Sequence, residues 1–197
     1  MKPVAVVLGS SSPRRKEILG DMGIRFTVAH ADIDESALPG EAVEQTALRL
    51  AREKARKISQ LHPDALVIGA DTLVALDGEM MGKPDDVPHA AAMLEKLSGK
   101  THDVFTAVAF ALRAEGREET ALCRSQVTFK KLGAADIAAY AATGEPIGKA
   151  GAYAIQGKGA ALIESYAGSR GNIVGLPARE VLRFFMAFGL ERLPWDN

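Results

Sequence analysis

The run Ser10-Ser11-Ser12-Pro13-Arg14-Arg15-Lys16 places three hydroxyls and three cations where an apolar segment, Val4 to Gly9, gives way to helix-forming residues. Ser12 suits a helix N-cap and Pro13 the first helical position. Arg14, Arg15 and Lys16 then fill the first turn and a half. That is the unfavourable sign at the positive end of a helix dipole, and each cation there costs roughly a few tenths of a kcal/mol unless an anion joins it. Strand, serine turn, helix N-terminus and paired guanidiniums together make a phosphate site. Its candidate contacts are Ser10, Arg14 and Arg15.

Asp71 is the second anchor, set in the apolar stretch Ala65 to Leu76. Charged groups are seldom buried alone, so Asp71 either ends a strand or is held there for a purpose. Asp77-Gly78 signals a two-residue hairpin turn. A tight hairpin pairs Leu76 with Glu79 and Val74 with Met81. Continued, the count brings Thr72 opposite Lys83, with facing Cβ atoms roughly 5 Å apart. Strict alternation turns Asp71 to the other face from Thr72 and Lys83, which only a strand end or a bulge would undo. Pro84 marks where the ladder must stop.

Lys54 has Ala47, Leu50, Ala51 and Ile58 at helical spacing, so its stem lies on a buried stripe. It either snorkels from the stripe's edge or delivers an ammonium into a cleft to hold phosphate. Arg49, Arg52, Glu53, Arg56 and Lys57 read as a solvated face. Glu35, with Asp32 and Asp34, lies in an acidic loop. Mg²⁺ takes one or two carboxylates plus substrate phosphates, and Glu35 and Asp71 can supply them. The glycine-rich stretch Lys149 to Gly159 has strand character. It carries Gln156, whose amide can donate and accept toward a base edge. Glycines there equally mark bulges or close backbone packing.

The elements that position these residues follow from periodicity and punctuation. Strands are expected over residues 3–9, 24–30, 65–70, 103–113 and 120–130, with a hairpin after the third. Helices are expected over 13–22, 41–60, 89–97, 134–142 and 178–188, the first ended by Gly23 and the third by Gly99. Glycine-rich strands and turns fill 148–176. Strands and helices alternate early and neighbouring strands follow, which favours a mixed-sheet α/β protein. The 197 residues, 47% hydrophobic and 25% charged, suit one domain with ample core. A net charge of −1 excludes an overall basic field for nucleic acid. Cys123 is the only cysteine and the four histidines are scattered, so neither a disulfide framework nor a zinc cluster is expected. No signal-peptide pattern is seen, and no apolar run approaches the roughly 18 residues of a membrane span. The expected location is the cytoplasm. No P-loop pattern appears, which argues against an ordinary ATPase or GTPase.

Several segments together resemble the Maf family of nucleoside triphosphate pyrophosphatases, also called septum-formation inhibitor proteins. They are Ser10 to Arg15, Arg49 to Ala55, Gly69-Ala70-Asp71-Thr72, Leu76-Asp77-Gly78-Glu79 through Gly82-Lys83-Pro84, Leu97 to His102, Ala150 to Gly157 and Val174-Gly175-Leu176-Pro177. The resemblance implies a single bilobed domain over residues 1–197. Its expected fold is α/β, with an extended mixed β-sheet flanked by helices, inosine triphosphate pyrophosphatase-like. It implies cleavage of a nucleoside triphosphate to monophosphate and pyrophosphate with Mg²⁺ or Mn²⁺, and a homodimer. The stretch ending at Gln156, with Ala70-Asp71-Thr72, looks like the branch acting on dTTP and UTP, with Arg14, Thr72 and Gln156 at the specificity positions. Gly148 and Arg170 stand where the family more often has Asp and Tyr.

The expected site is therefore Ser10, Arg14, Arg15, Lys54, Thr72, Lys83 and Gln156 on the nucleotide. Glu35 and Asp71 are expected at the metal. Asp71 either orients and deprotonates the attacking water or binds the metal that does so. The alternative is a non-catalytic nucleotide-binding regulator of cell division, which needs no carboxylate beside the phosphates.

Overall fold

The computed structural model describes residues 4–190. Thirteen elements follow in order. They are β1 (Val6–Leu8), α1 (Pro13–Asp21), β2 (Thr27–Val28), α2 (Val43–Leu61), β3 (Leu66–Leu76), β4 (Glu79–Met81), α3 (Val87–Leu97), β5 (Thr101–Leu112), β6 (Arg117–Phe129), α4 (Ala134–Ala141), β7 (Ile163–Ala167), α5 (Arg170–Val174) and α6 (Ala178–Ala187). The strands form one seven-stranded sheet in the order β2-β1-β3-β5-β6-β7, with β4 on β3. β1 pairs in parallel with β2 and β3, while β3–β4 and β6–β7 are antiparallel. The sheet is mixed, as expected.

The chain divides into two compact units. Among the described residues, the first comprises 4–71, 106–123 and 175–190, and the second 72–105 and 124–174. Each has a core of its own. In the first, Leu8, Leu19, Ile68, Val108 and Leu176 pack with Phe110, whose ring meets Phe184 and Phe185 edge-on at 5.0 and 5.6 Å. In the second, Val74, Leu94, Leu97, Val127, Phe129 and Tyr153 pack together.

Local chemistry accounts for the boundaries. Ser12 caps α1 by accepting from the Arg15 N–H, and Pro13 opens the helix. The β3–β4 turn puts Asp77 and Gly78 at φ 53° and 83°, both left-handed, as a two-residue hairpin turn requires. The register matches expectation, with Leu76 opposite Glu79 and Val74 opposite Met81. β4 stops at Met81, so Thr72 and Lys83 are not a ladder pair.

Three expectations need correction. The strand expected over 24–30 is only Thr27–Val28, and residue 3, the start of the first expected strand, lies outside the described residues. β3 does not stop at residue 70 but runs through Asp71 to Leu76. The Lys149–Gly159 stretch is not a strand. It forms 3₁₀ turns at Ala150–Ala152 and Gly157–Leu162, with Gly151, Ala152 and Gly157 all at positive φ. Such dihedrals break the pleat whatever the β-propensity of the side chains.

Candidate active site

The first unit gathers its polar groups where β1, α1, α2 and β3 meet. α2 carries a buried stripe of Val43, Ala47, Leu50, Ala51, Lys54, Ala55 and Ile58. It lies directly on β3 because Gly69 has no side chain: a Cβ there would stand 2.3 Å from the Ala51 carbonyl oxygen and 2.6 Å from the Ala55 nitrogen. That approach brings Lys54 to Asp71, two residues further along the same face of the strand. Lys54 Nζ lies 2.6 Å from Asp71 Oδ1 and 2.7 Å from Glu35 Oε1. Lys54 is 7% exposed and Asp71 6%. Lys54 therefore does not snorkel to solvent. Its ammonium joins a buried strand carboxylate to an exposed loop carboxylate, and Asp71 sits within β3 rather than at its end.

Asp71 Oδ2 is buried without a hydrogen-bond partner. With Glu35 Oε1 converging on the same ammonium, the donor set fits a hard divalent cation that takes two carboxylate oxygens and completes its shell from phosphates. Among the described residues no group of three or more His, Cys, Asp or Glu could hold a metal.

Arg15 turns inward. Its Nε donates to the Gly175 carbonyl at 2.8 Å, and its Nη1 donates to Ser10 Oγ at 3.0 Å and to the Ala70 carbonyl at 2.9 Å. Desolvation lowers its pKa, Asp71 opposes the shift, and the neighbouring Arg14 adds to it. A guanidinium remains protonated regardless. Arg15 thus braces the segment before Asp71. Ser10 is buried, and its Oγ also accepts from the Ser12 N–H at 3.3 Å. Arg14, half-buried, lies on the first turn of α1. Ser10, Arg14, Arg15, Glu35, Lys54 and Asp71 all belong to this unit.

Thr72, Lys83 and Gln156 belong to the second unit. The Gly82 carbonyl, one residue before the exposed Lys83, accepts from the Gly151 N–H at 3.0 Å. Gly151 (φ 70°) lies against Val74, whose Cγ1 would be 3.0 Å from a Cβ. These contacts tie the turn leading to Gln156 to the β3–β4 hairpin.

Two polar groups of this unit escaped sequence reasoning. His102 Nε2 meets Tyr153 Oη at 2.8 Å, both buried, with Phe129 edge-on to each ring. Asn172 is fully buried, and its Nδ2 donates to the Val104 carbonyl at 3.0 Å and Ser125 Oγ at 2.8 Å. A serine on β6 and an asparagine 47 residues later offer no periodic signal; only the fold makes them neighbours.

The Maf-like protein family model matches residues 5–188. The chain belongs to the Maf-like family. A relative from Myxococcus xanthus (strain DK1622), named dTTP/UTP pyrophosphatase, is 52% identical over 190 residues, covering 96% of this chain and 95% of its own. One from Anaeromyxobacter dehalogenans (strain 2CP-1 / ATCC BAA-258), of the same name, is 47% identical over 194 residues, covering 98% and 97%. Among solved structures, the Staphylococcus aureus Ham1 protein superposes with TM-score 0.53 at 15% identity, covering 94% of this chain and 98% of its own. That likeness concerns the fold alone.

Proposed function

We propose that this protein hydrolyses nucleoside triphosphates, dTTP and UTP foremost, to the monophosphate and pyrophosphate. The observation that carries the reading is the buried Lys54 ammonium clamped between Asp71 and Glu35. Burying the Lys54 ammonium with the Asp71 carboxylate costs desolvation that packing alone does not require, and Glu35 reaches the same ammonium from the exposed loop. The names of the relatives above agree with it.

In this reading Arg14, Lys54 and Lys83 neutralise the triphosphate, assisted by Ser10 and the N-terminus of α1. Arg15 keeps Ser10 and the Ala70–Asp71 backbone in place while adding to the local positive potential. Asp71 accepts the proton of a water whose oxygen bonds to the α-phosphorus. The bond from that phosphorus to the α,β-bridging oxygen breaks, and pyrophosphate departs with the electron pair. Fixed cations stabilise the charge that develops on it. Glu35 and Asp71 would hold Mg²⁺ or Mn²⁺ with the substrate phosphates, and such an ion supplies Lewis-acid charge neutralisation when bound. Thr72 and Gln156 contact the nucleoside.

The test is purified protein with Mg²⁺ or Mn²⁺ and a panel of nucleoside triphosphates, with pyrophosphate and orthophosphate detected separately. The expected result is one pyrophosphate per monophosphate, fastest with dTTP and UTP. Binding without product leaves only the non-catalytic regulator. Orthophosphate as the first product moves the attack away from the α-phosphorus.

A further inference from the structure

Gln156 lies on a span fastened by side chains that have no part in the phosphate chemistry. Glu145, in the turn after α4, holds the downstream end. Its Oε1 accepts from Tyr140 Oη at 2.9 Å and from the Gly159 N–H at 2.9 Å, and its Oε2 accepts from the Lys158 N–H at 3.0 Å. The two turn glycines leave no room beside the clasp. A Cβ at Gly157 would stand 2.7 Å from Glu145 Oε2, and one at Gly159 would stand 2.6 Å from Tyr140 Oη and 2.4 Å from the Ala154 carbonyl oxygen. Upstream, the buried Tyr153–His102 hydrogen bond holds the other end. Gln156 itself is half-buried. The intervening backbone has little freedom, so the direction of the Gln156 amide is set by its fastenings.

We infer that Glu145 is a positioning residue for base selection: by gripping the Lys158 and Gly159 N–H groups it fixes where the Gln156 amide meets a pyrimidine edge. The inference rests on the reading of Gln156 as the base contact. A carboxylate is required because all three partners are donors, and only a group with two acceptor oxygens and no N–H satisfies them. In either orientation an amide of the same shape turns its NH₂ toward a backbone N–H, that of Lys158 or that of Gly159, which leaves a donor unpaired and shifts the turn. Base discrimination depends on placement to a fraction of an ångström.

The test compares kcat/KM for dTTP, UTP and CTP in Glu145→Gln, Tyr140→Phe and Gln156→Glu. A ratio between substrates is independent of the fraction of protein folded, so it separates positioning from a merely structural role. Glu145→Gln should lower the dTTP/CTP and UTP/CTP ratios about tenfold, mostly through a raised KM for dTTP and UTP, with kcat for dTTP within about twofold. Tyr140→Phe, which deletes one donor and keeps the ring, should move the ratios in the same direction by less. An unchanged ratio in a folded Glu145→Gln protein, or an equal loss for every substrate, overturns the inference. If Gln156→Glu shifts the ratios and Glu145→Gln does not, only the role of Glu145 fails. If Gln156→Glu leaves them unchanged, the base-reading assignment fails and takes this inference with it.

Discussion

The Lys54–Asp71 pair sets two opposite demands on single substitutions. Asp71→Asn keeps the shape and leaves Lys54 paired with Glu35, so the fold should persist. Loss of the proposed proton acceptor should lower kcat about 10³-fold. Steady-state pyrophosphate release, with circular dichroism to check folding, reads both; turnover near wild type would remove Asp71 from the mechanism. Lys54→Met does the reverse to stability. It strands a buried carboxylate, and removing one partner of a buried pair costs about 3 kcal/mol, a fall in Tm of roughly 6–12 °C by calorimetry. A Tm unmoved by that change would mean that Asp71 finds solvent without its lysine.

His102 brings pH into the second unit. Burial pushes its pKa down from 6.5 to about 4, opposed by the charge of Asp103. Burial also raises the Tyr153 pKa, so the phenol keeps its proton. The folded state favours the neutral imidazole. The stabilisation is therefore complete above pH 6.5 and drains away as pH falls toward about 4, on the order of 3 kcal/mol in all. A Tm series across that range should slope for the native chain and flatten for His102→Gln. Parallel slopes would assign the loss to other groups.

At the scale of elements, the contact of α2 with β3 decides whether a site exists. Ordinarily Gly→Ala in a strand is neutral or helpful. At Gly69 the added methyl meets backbone at 2.3 Å, which no rotamer relieves. Gly69→Ala should cost roughly 2–3 kcal/mol by overpacking and withdraw Lys54 from Asp71. Chemical denaturation and kcat are expected to fall together. Full activity in Gly69→Ala would show that the helix can retreat without moving its lysine. The register of β3 and β4 was legible because Asp77-Gly78 prescribes its own turn. The Lys149–Gly159 segment was not, since its side chains read as a strand while its glycines supply dihedrals that no strand tolerates.

At the scale of the whole molecule, two cores of distinct residues support two units. Neither core relies on a metal cluster among the described residues. If the proposed Mg²⁺ or Mn²⁺ is bound only with substrate, chelation with EDTA should abolish pyrophosphate release and leave the melting curve in place. Added Mg²⁺ or Mn²⁺ should restore turnover. A large drop in Tm on chelation would reveal a structural ion. Among the described residues no helix is long and apolar enough to cross a membrane.

The order of strands and helices as far as α4, the cap at Ser12 and the hairpin at Asp77-Gly78 were determined by the sequence itself, whereas the helix α5 lies where glycine-rich strands and turns were expected. Capping, periodicity and turn dihedrals act over a few residues and are written in residue type. The inward turn of Arg15, the grip of Glu145 on residues 158 and 159 and the Asn172–Ser125 bond were decided only in three dimensions. Lys54 shows the division within one side chain. Helical spacing placed its stem on the apolar stripe. Whether its ammonium reached water or a carboxylate depended on how closely β3 lets α2 approach, a distance that the missing Cβ of Gly69 permits and only packing reveals.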